Sequence, residues 1–421
     1  MKNNQLKENE YEVMAPVGSY ESLTAAIQGG ADSVYFGIEG LNMRSRSSNN
    51  FTLDDLREIA KTCREKGIKS YLTVNTIIYD EDVAYMRSII DVAKATGISA
   101  IIAADVAAMS YARSIGVEVH LSTQLNISNI ESLRFYAQFA DVVVLARELT
   151  LTQVKGIYDA IDRENICGPN GEKIRIEMFC HGALCMAVSG KCYLSLHETT
   201  HSANRGACYQ MCRRGYIVKD KESEMEFEIE NQYIMSPKDL KTIHFLNKML
   251  DAGVTVFKIE GRARSAEYVR ATVECYKEAI AAWHSGNFTQ ERVDDWNTRL
   301  SEVFNRGFWD GYYLGQRLGE WSHNYGSAAT KQKTYIGKAT KYFSKLSVAE
   351  FLLETQSLAA GDEILITGPT TGALRLTAED IRVNLLPVGE AAKGDRFSMK
   401  MPEKVRPNDK LFKIVTKEPE A

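Results

Sequence analysis

From residue 11 to about residue 290 the chain alternates short apolar runs with amphipathic stretches. That alternation restricts the fold more than any other feature. The runs suited to strands are Tyr11–Ala15, Ser33–Phe36, Lys69–Val74, Ala100–Ala103, Glu118–Leu121, Asp141–Leu145, Lys173–Phe179 and Val254–Ile259. Helical periodicity fills the gaps at Leu53–Lys66, Val83–Thr96, Val106–Ile115 and Ile130–Phe139. Thr52 and Asn129 suit helix N-caps, and Gly67, Gly97, Gly116 and Gly253 suit helix ends. Strands that are apolar on both faces and separated by helices imply a parallel sheet. Eight such units predict a TIM-like (β/α)8 barrel. The first strand is not followed by a glycine-rich phosphate fingerprint, which argues against a dinucleotide-binding sheet. A ninth strand-like run, Tyr233–Ser236, followed by a helix at Lys238–Met249, does not fit the count.

The barrel is expected over 1–290, with a cysteine-rich insertion at 181–231 that carries a hairpin, Tyr216–Lys219 with Glu226–Glu230. A helical and aromatic connector follows at 291–334. Residues 335–421 change character to strands punctuated by Gly361-Asp362, Gly368-Pro369 and Pro407-Asn408, predicting a small C-terminal β-barrel. No apolar run approaches the roughly 18 residues of a membrane helix, and Met1–Glu10 is polar, so a cytoplasmic protein is expected. The net charge of -4 excludes a bulk polyanion binder but not a local basic face.

Polar residues cluster just past the strand ends: Asn75, Asp105, Gln124, Arg147, His181, Asp239, Glu260 and Arg262. In a barrel of this kind those positions form the C-terminal mouth, where active sites are built. Five of the eight cysteines fall between Glu177 and Arg213. In a reducing compartment such a concentration points to metal or redox chemistry rather than disulfides. Cys185 and Cys192 have six residues between them, Cys208 and Cys212 three, and fifteen residues join the pairs. This spacing is looser than a structural zinc knuckle and leans toward an iron–sulfur cluster; reduced cysteines without metal are the alternative. His197-Glu198-Thr199-Thr200-His201 matches the H-E-x-x-H zinc pattern in letters. That pattern needs a helix, and two adjacent threonines are weak helix formers.

The stretch Glu177-Met-Phe-Cys-His-Gly-Ala-Leu-Cys185, with Ser189-Gly-Lys-Cys192-Tyr-Leu-Ser195, resembles the signature of the peptidase U32 family. The resemblance extends through Ala15-Pro-Val-Gly18, Val34-Tyr-Phe-Gly37, Asn42-Met-Arg44, Ser122-Thr-Gln-Leu-Asn126, Ala146-Arg-Glu-Leu149, Ser202-Ala-Asn-Arg-Gly206, Ser236-Pro-Lys-Asp-Leu240 and Lys258-Ile-Glu-Gly-Arg262. It covers most of residues 11–330. The C-terminal strands resemble that family's β-module.

Members with this layout imply 5-hydroxylation of the wobble uridine in tRNA, with the anticodon loop as partner. A longer relative implies hydroxylation of a 23S rRNA cytidine instead. The resemblance further implies a [4Fe-4S] cluster on Cys185, Cys192, Cys208 and Cys212, and prephenate, a small organic acid, as co-substrate. The electron donor is unidentified. Peptidase is an old family label, and these residues contain no protease machinery that supports it. Glu177, His181, Asp239 and Glu260 are the candidates for proton transfer and Arg262 the catalytic arginine. Arg44, Asn75, Gln124 and Arg147 are the candidates for substrate binding.

Overall fold

A computed structural model describes residues 7–46, 50–219, 226–227, 235–316, 318–323 and 326–417. Its centre is a closed parallel barrel of eight strands: β1 (Glu12–Pro16), β2 (Ser33–Phe36), β3 (Lys69–Val74), β4 (Ala100–Ala103), β5 (Glu118–Leu121), β6 (Val142–Val144), β7 (Arg175–Gly182) and β8 (Val254–Ile259). Each strand pairs with the next in parallel, and β8 closes the ring by pairing with both β7 and β1. The strands are buried almost throughout, as continuous apolar runs require.

Helices α1 (Tyr20–Gln28), α2 (Leu53–Glu65), α3 (Val83–Thr96), α4 (Val106–Ser114), α5 (Ile130–Tyr136) and α6 (Leu151–Glu164) follow the first six strands. Thr52 and Asn129 cap α2 and α5 by accepting the amides of Asp55 and Ser132. Asp105 caps α4 through the Ala107 amide, at 2.9 Å, so this strand-end carboxylate serves the fold. After β7 come α7 (Leu194–Thr199) and α8 (Leu246–Asp251). After β8 come α9 (Ala266–His284) and α10 (Gln290–Glu302).

The first half of the ninth strand-like run, Tyr233–Ser236, lies outside the described residues, as does the turn of the expected hairpin; Met235 and Ser236 are not in a strand. Val218–Lys219 and Glu226–Phe227 do pair antiparallel. The helix expected at Lys238–Met249 is shorter than its pattern. A strand, Asp239–Lys241, pairs antiparallel with His181 and Gly182, and α8 begins only at Leu246. The reason is an open edge: β7 runs past the ring at the mouth, and Asp239–Lys241 covers the edge it leaves.

One irregularity in β7 matters for the site. Phe179 pairs with Lys258, but the next pair is His181 with Ile259, so β7 carries one extra residue there. A bulge of this kind redirects the following side chains.

The C-terminal strands form a separate antiparallel sheet of eight. Its longer members are β9 (Lys331–Phe343), β10 (Val348–Leu353), β11 (Glu363–Gly368), β12 (Gly372–Thr377), β13 (Arg396–Lys400) and β14 (Lys410–Thr416). The order runs β12–β11–β14–β9–β10–β13, then two short strands at Arg382–Val383 and Leu386–Pro387; no ladder joins the ends among the described residues. Its core includes Ile336, Phe351, Ile364, Phe397 and Leu411. It packs onto the barrel through α1. Thr24 Oγ1 donates to Pro369 O at 2.7 Å, and the Gln28 amide bonds Thr371 O and the Ala373 amide.

Gly182 ends β7 at φ +101°, where a Cβ would lie 2.2 Å from Glu260 O. Both the backbone conformation and the space exclude a side chain. Gly182→Ala is expected to lower stability by more than about 1 kcal/mol in chemical denaturation. Wild-type stability in that variant would contradict the close approach.

Candidate active site

A cavity of about 400 Å³ opens at the C-terminal mouth of the barrel. Seven cationic side chains line it: Arg44, Arg147, Arg213, Lys258, Arg262, Arg264 and Arg306. The one carboxylate among its lining residues is Glu260. Asn75, Gln124, Cys185, Cys208 and Cys212 complete the walls that bear on chemistry. A chain with net charge -4 therefore concentrates positive charge at one place, and low-dielectric walls focus that field on an anion.

Strand periodicity explains much of the arrangement. Tyr71, Thr73 and Asn75 alternate inward along β3, and Val256, Lys258 and Glu260 do so along β8. Glu260 Oε1 accepts from Arg44 at 3.3 Å, and Oε2 accepts from the Tyr35 hydroxyl at 3.1 Å. Burial pushes the Glu260 carboxyl up, but Arg44, Arg147 and Arg262 outweigh it and hold the group below its ordinary range. It is therefore an anion, suited to accepting hydrogen bonds or a proton.

Arg262 is fixed by Asn42 Oδ1 at 3.1 Å and Thr73 Oγ1 at 3.2 Å. Gly37 makes room for it: a Cβ there would lie 2.5 Å from the guanidinium. Arg147 lies over the Phe179 ring, 3.9 Å from the centroid, and its buried Nε has no hydrogen-bond partner among the described residues. Asn75 accepts the Met43 amide at 3.2 Å, and Gln124 accepts the Ser122 hydroxyl at 2.9 Å.

Glu177 lies deeper, fully buried beneath the cavity floor, where Lys258 donates to it at 2.7 Å. Burial raises its carboxyl, yet Lys258 and His120 outweigh burial and hold it down. His181 and Asp239 do not line the cavity. The bulge in β7 turns His181 out of the barrel, among the rings of Tyr268, Tyr276 and Phe308. Burial, then Lys241 and Arg264, lower its pKa to about 3, so it is a neutral packing residue. Asp239 stands behind the wall and accepts from Arg264 at 3.1 Å and Arg306 at 3.4 Å. It positions two cavity arginines rather than meeting a ligand. Burial pulls Arg306 down to about 10 despite that partner.

The segment after β7 lies over the mouth and is tied down at several points. Arg213 donates to Leu184 O at 2.7 Å and Ser236 Oγ at 2.9 Å. Asn126 donates to Ser189 O at 3.0 Å, and Arg205 pairs with Asp82. Three of the four candidate cysteines, Cys185, Cys208 and Cys212, line the cavity. Burial raises the Cys212 thiol; Arg213 opposes this, while Cys185, Cys208 and Cys192 add to it. Among the described residues, no three His, Cys, Asp or Glu side chains converge tightly enough to hold a single metal ion. The four thiols, three of them on the cavity wall, make an all-sulfur donor set, which is the ligand chemistry an iron–sulfur cluster takes, and Arg44 and Arg213 line the same cavity where they can offset thiolate charge.

The H-E-x-x-H letters do not form a zinc site. Helix α7 ends at Thr199, and Thr200 takes a left-handed conformation at φ +59°, so His201 leaves the helix and the two histidines share no face.

The model of the family described as Peptidase family U32 matches residues 18–323. The chain belongs to that family. A protein named Collagenase from Porphyromonas gingivalis is 68% identical over 97% of this chain and 99% of its own length. A tRNA hydroxylation protein of Bacillus subtilis is 33% identical over 88% of this chain and 86% of its own. A 23S rRNA 5-hydroxycytidine synthase of Escherichia coli is 33% identical over 73% of this chain but only 46% of its own. These relatives bear enzyme names of two kinds, hydrolytic and RNA-modifying.

Asp239→Ala would strand Arg264 and Arg306, whose side chains are only 9% and 16% exposed. The expected loss is about 3–5 kcal/mol in urea unfolding, as for other broken buried pairs. A second expectation concerns acid. Glu12, at the base of the barrel, pairs with Lys69 at 3.1 Å and Arg175 at 3.2 Å. Burial raises its carboxyl, but Arg175, Lys69 and His120 lower it from 4.5 to about 2. Its stabilisation is full above pH 4.5 and is lost as pH falls toward about 2. Glu12→Gln should flatten the acid limb of a stability-versus-pH curve; an unchanged limb would assign acid unfolding to other carboxylates.

Proposed function

We propose that this protein hydroxylates RNA at the 5 position of the wobble uridine in tRNA. The observation that carries the proposal is the cation-rich mouth cavity with cysteine thiols along one wall. A pyrimidine in an anticodon loop is already unstacked, which lowers the cost of bringing it to such a cavity. The names of the Bacillus and Escherichia relatives support RNA as the substrate class.

In this reading Cys185, Cys192, Cys208 and Cys212 hold a [4Fe-4S] cluster. With four cysteine ligands its contribution is electron transfer or ordering of the segment rather than substrate ligation. Prephenate is the proposed organic co-substrate, and the arginine-rich walls suit its carboxylates. Arg262, fixed in place by Asn42 and Thr73, and Arg147, with its unused Nε, are the forks for carboxylate or phosphate. Glu260 is the anionic acceptor at the ligand, and Arg44 keeps it charged.

A peptidase is the competing reading, and the name of the Porphyromonas relative favours it. The broken helix at Thr200 argues against a zinc peptidase on His197 and His201.

The test is nucleoside mass spectrometry of tRNA and rRNA from a deletion strain, with gelatin cleavage assayed on the purified protein. Loss of a hydroxyuridine-derived wobble nucleoside, restored by wild type but not by Cys208→Ala or Arg262→Ala, is expected. Loss of rRNA hydroxycytidine would move the target. Intact RNA pools together with gelatin cleavage would replace the proposal with the peptidase reading.

A further inference from the structure

Below the mouth cavity, the barrel interior holds more ionisable groups than packing requires. Met14, Tyr35, Tyr71, Ala100, Ile102, Val142 and Val256 fill part of it. His120, Glu177 and Lys258 stand among them and are 1%, 0% and 5% exposed. Taking such charges out of water is expensive, so a barrel built for stability alone would fill these positions with aliphatic side chains.

The groups are arranged in sequence from one end of the barrel to the other. Glu118 opens β5 at the N-terminal face, with a side chain 37% exposed, and its Oε1 lies 3.3 Å from His120 Nε2. His120 Nδ1 faces Glu177 Oε2 at 3.7 Å. That distance is too long for a hydrogen bond, and neither atom has another partner among the described residues. A buried donor and a buried acceptor thus point at each other across a gap that a small movement closes. On its other oxygen Glu177 accepts from Lys258 at 2.7 Å. Lys258 lines the cavity, its ammonium 4.8 Å from the Tyr35 ring centroid.

We propose that Glu118, His120, Glu177 and Lys258 form a proton path from solvent at the closed face of the barrel to the cavity, and that Lys258 is the group that exchanges a proton with the bound ligand. The proposal rests on the reading that an RNA substrate covers the mouth, which leaves the opposite face as the route to solvent. In the forward step the Lys258 Nζ–H bond breaks, its electron pair stays on nitrogen, and the proton bonds to a basic atom of the ligand. Glu177 takes the Nδ1 proton of His120 on Oε2, turns its carboxyl group and protonates Lys258. His120 enters the step as the imidazolium and is left neutral with its remaining proton on Nε2; the ring then turns its bare Nδ1 toward Glu118, takes up a proton that Glu118 has drawn from solvent, and turns back. The same chain run in reverse removes a proton from the ligand, and no oxidant or reductant takes part.

The surroundings of His120 suit the role. Glu118 faces it from β5, Tyr71 from β3 with ring centroids 4.3 Å apart, Glu177 from β7, and Glu12 from β1, where Arg175 and Lys69 neutralise it. Burial pushes the imidazolium pKa down, but Glu118, Glu177 and Glu12 outweigh it and raise it above the ordinary histidine value.

The test follows RNA hydroxylation by the holoprotein across pH, with histidine NMR on the same samples. The wild-type rate is expected to fall as pH rises through the His120 pKa. His120→Gln should lower kcat by about a hundredfold or more, leave KM for RNA unchanged and remove that fall. Imidazole should restore part of the rate to His120→Gly, a recovery that a purely structural histidine would not show. Should the buried variants fail to fold, Glu118→Gln at the exposed end is expected to reduce kcat and shift the same limb. A folded His120→Gln, or a Glu118→Gln, with wild-type kcat and pH profile would overturn the proposal. Should wild type modify no RNA, the hydroxylase reading fails separately and NMR decides. A His120 signal that titrates between roughly pH 5 and 9, with a pKa that drops in Glu177→Gln, supports the path; one that does not titrate overturns it.

Discussion

Two carboxylates make the mouth of this barrel possible. Seven cationic groups around one cavity would repel one another and pay a large desolvation cost unless anions were built into the same walls. Glu260 holds Arg44 inside the cavity, and Asp239 holds Arg264 and Arg306 from behind. Both carboxylates sit where a chain leaves the barrel strands, one just past β8 and one on the short strand that covers the end of β7. Fold and electrostatics are therefore coupled: the strand that seals an open edge also delivers the counter-charge.

The cysteine segment adds the second constraint. Arg213 ties it to Leu184 and Ser236, Asn126 ties it to Ser189, and Arg205 ties it to Asp82, so it lies across the mouth as a cover with three of its four candidate cysteines on the cavity wall. The cavity is thus bounded below by the paired Glu177 and Lys258 and above by sulfur. A larger cleft of about 750 Å³ lies between α9, α10 and the C-terminal sheet. Its charges are largely satisfied by ion pairs such as Lys333–Glu267 and Arg375–Glu302, which leaves it less suited to an anionic ligand than the mouth.

The repeated units of the barrel were legible in the sequence because each strand is buried on both faces and each helix carries ordinary caps, as at Thr52 and Asn129. Asn75, Gln124, Arg147, Glu260 and Arg262 were legible because they follow strand ends, and Arg44 because it stands in the Asn42-Met-Arg44 motif; the structure brings all six to one cavity. His181 was misplaced by the same logic. Strict alternation aims it inward with Glu177 and Phe179, and only the pairing register reveals the bulge that turns it out. Lys258 was within reach of period-2 reasoning, since it shares a face with Glu260. Arg264 and Arg306 had no local signal, because their placement depends on a contact with Asp239 across long sequence separation. The C-terminal strands were recognisable as strands from the turn residues between them, but the order in which they pair depends on contacts distant in sequence.

The central claim is that the mouth cavity, with its arginines and its sulfur wall, is one reaction chamber. The most direct measurement is a crystal structure of anaerobically purified protein soaked with prephenate, with anomalous data at the iron edge. The account predicts iron at Cys185, Cys192, Cys208 and Cys212 and the organic acid in the adjoining cavity, with a carboxylate on Arg262 or Arg147. Iron absent from the four cysteines, or the acid bound only in the cleft beside the C-terminal sheet, would contradict it.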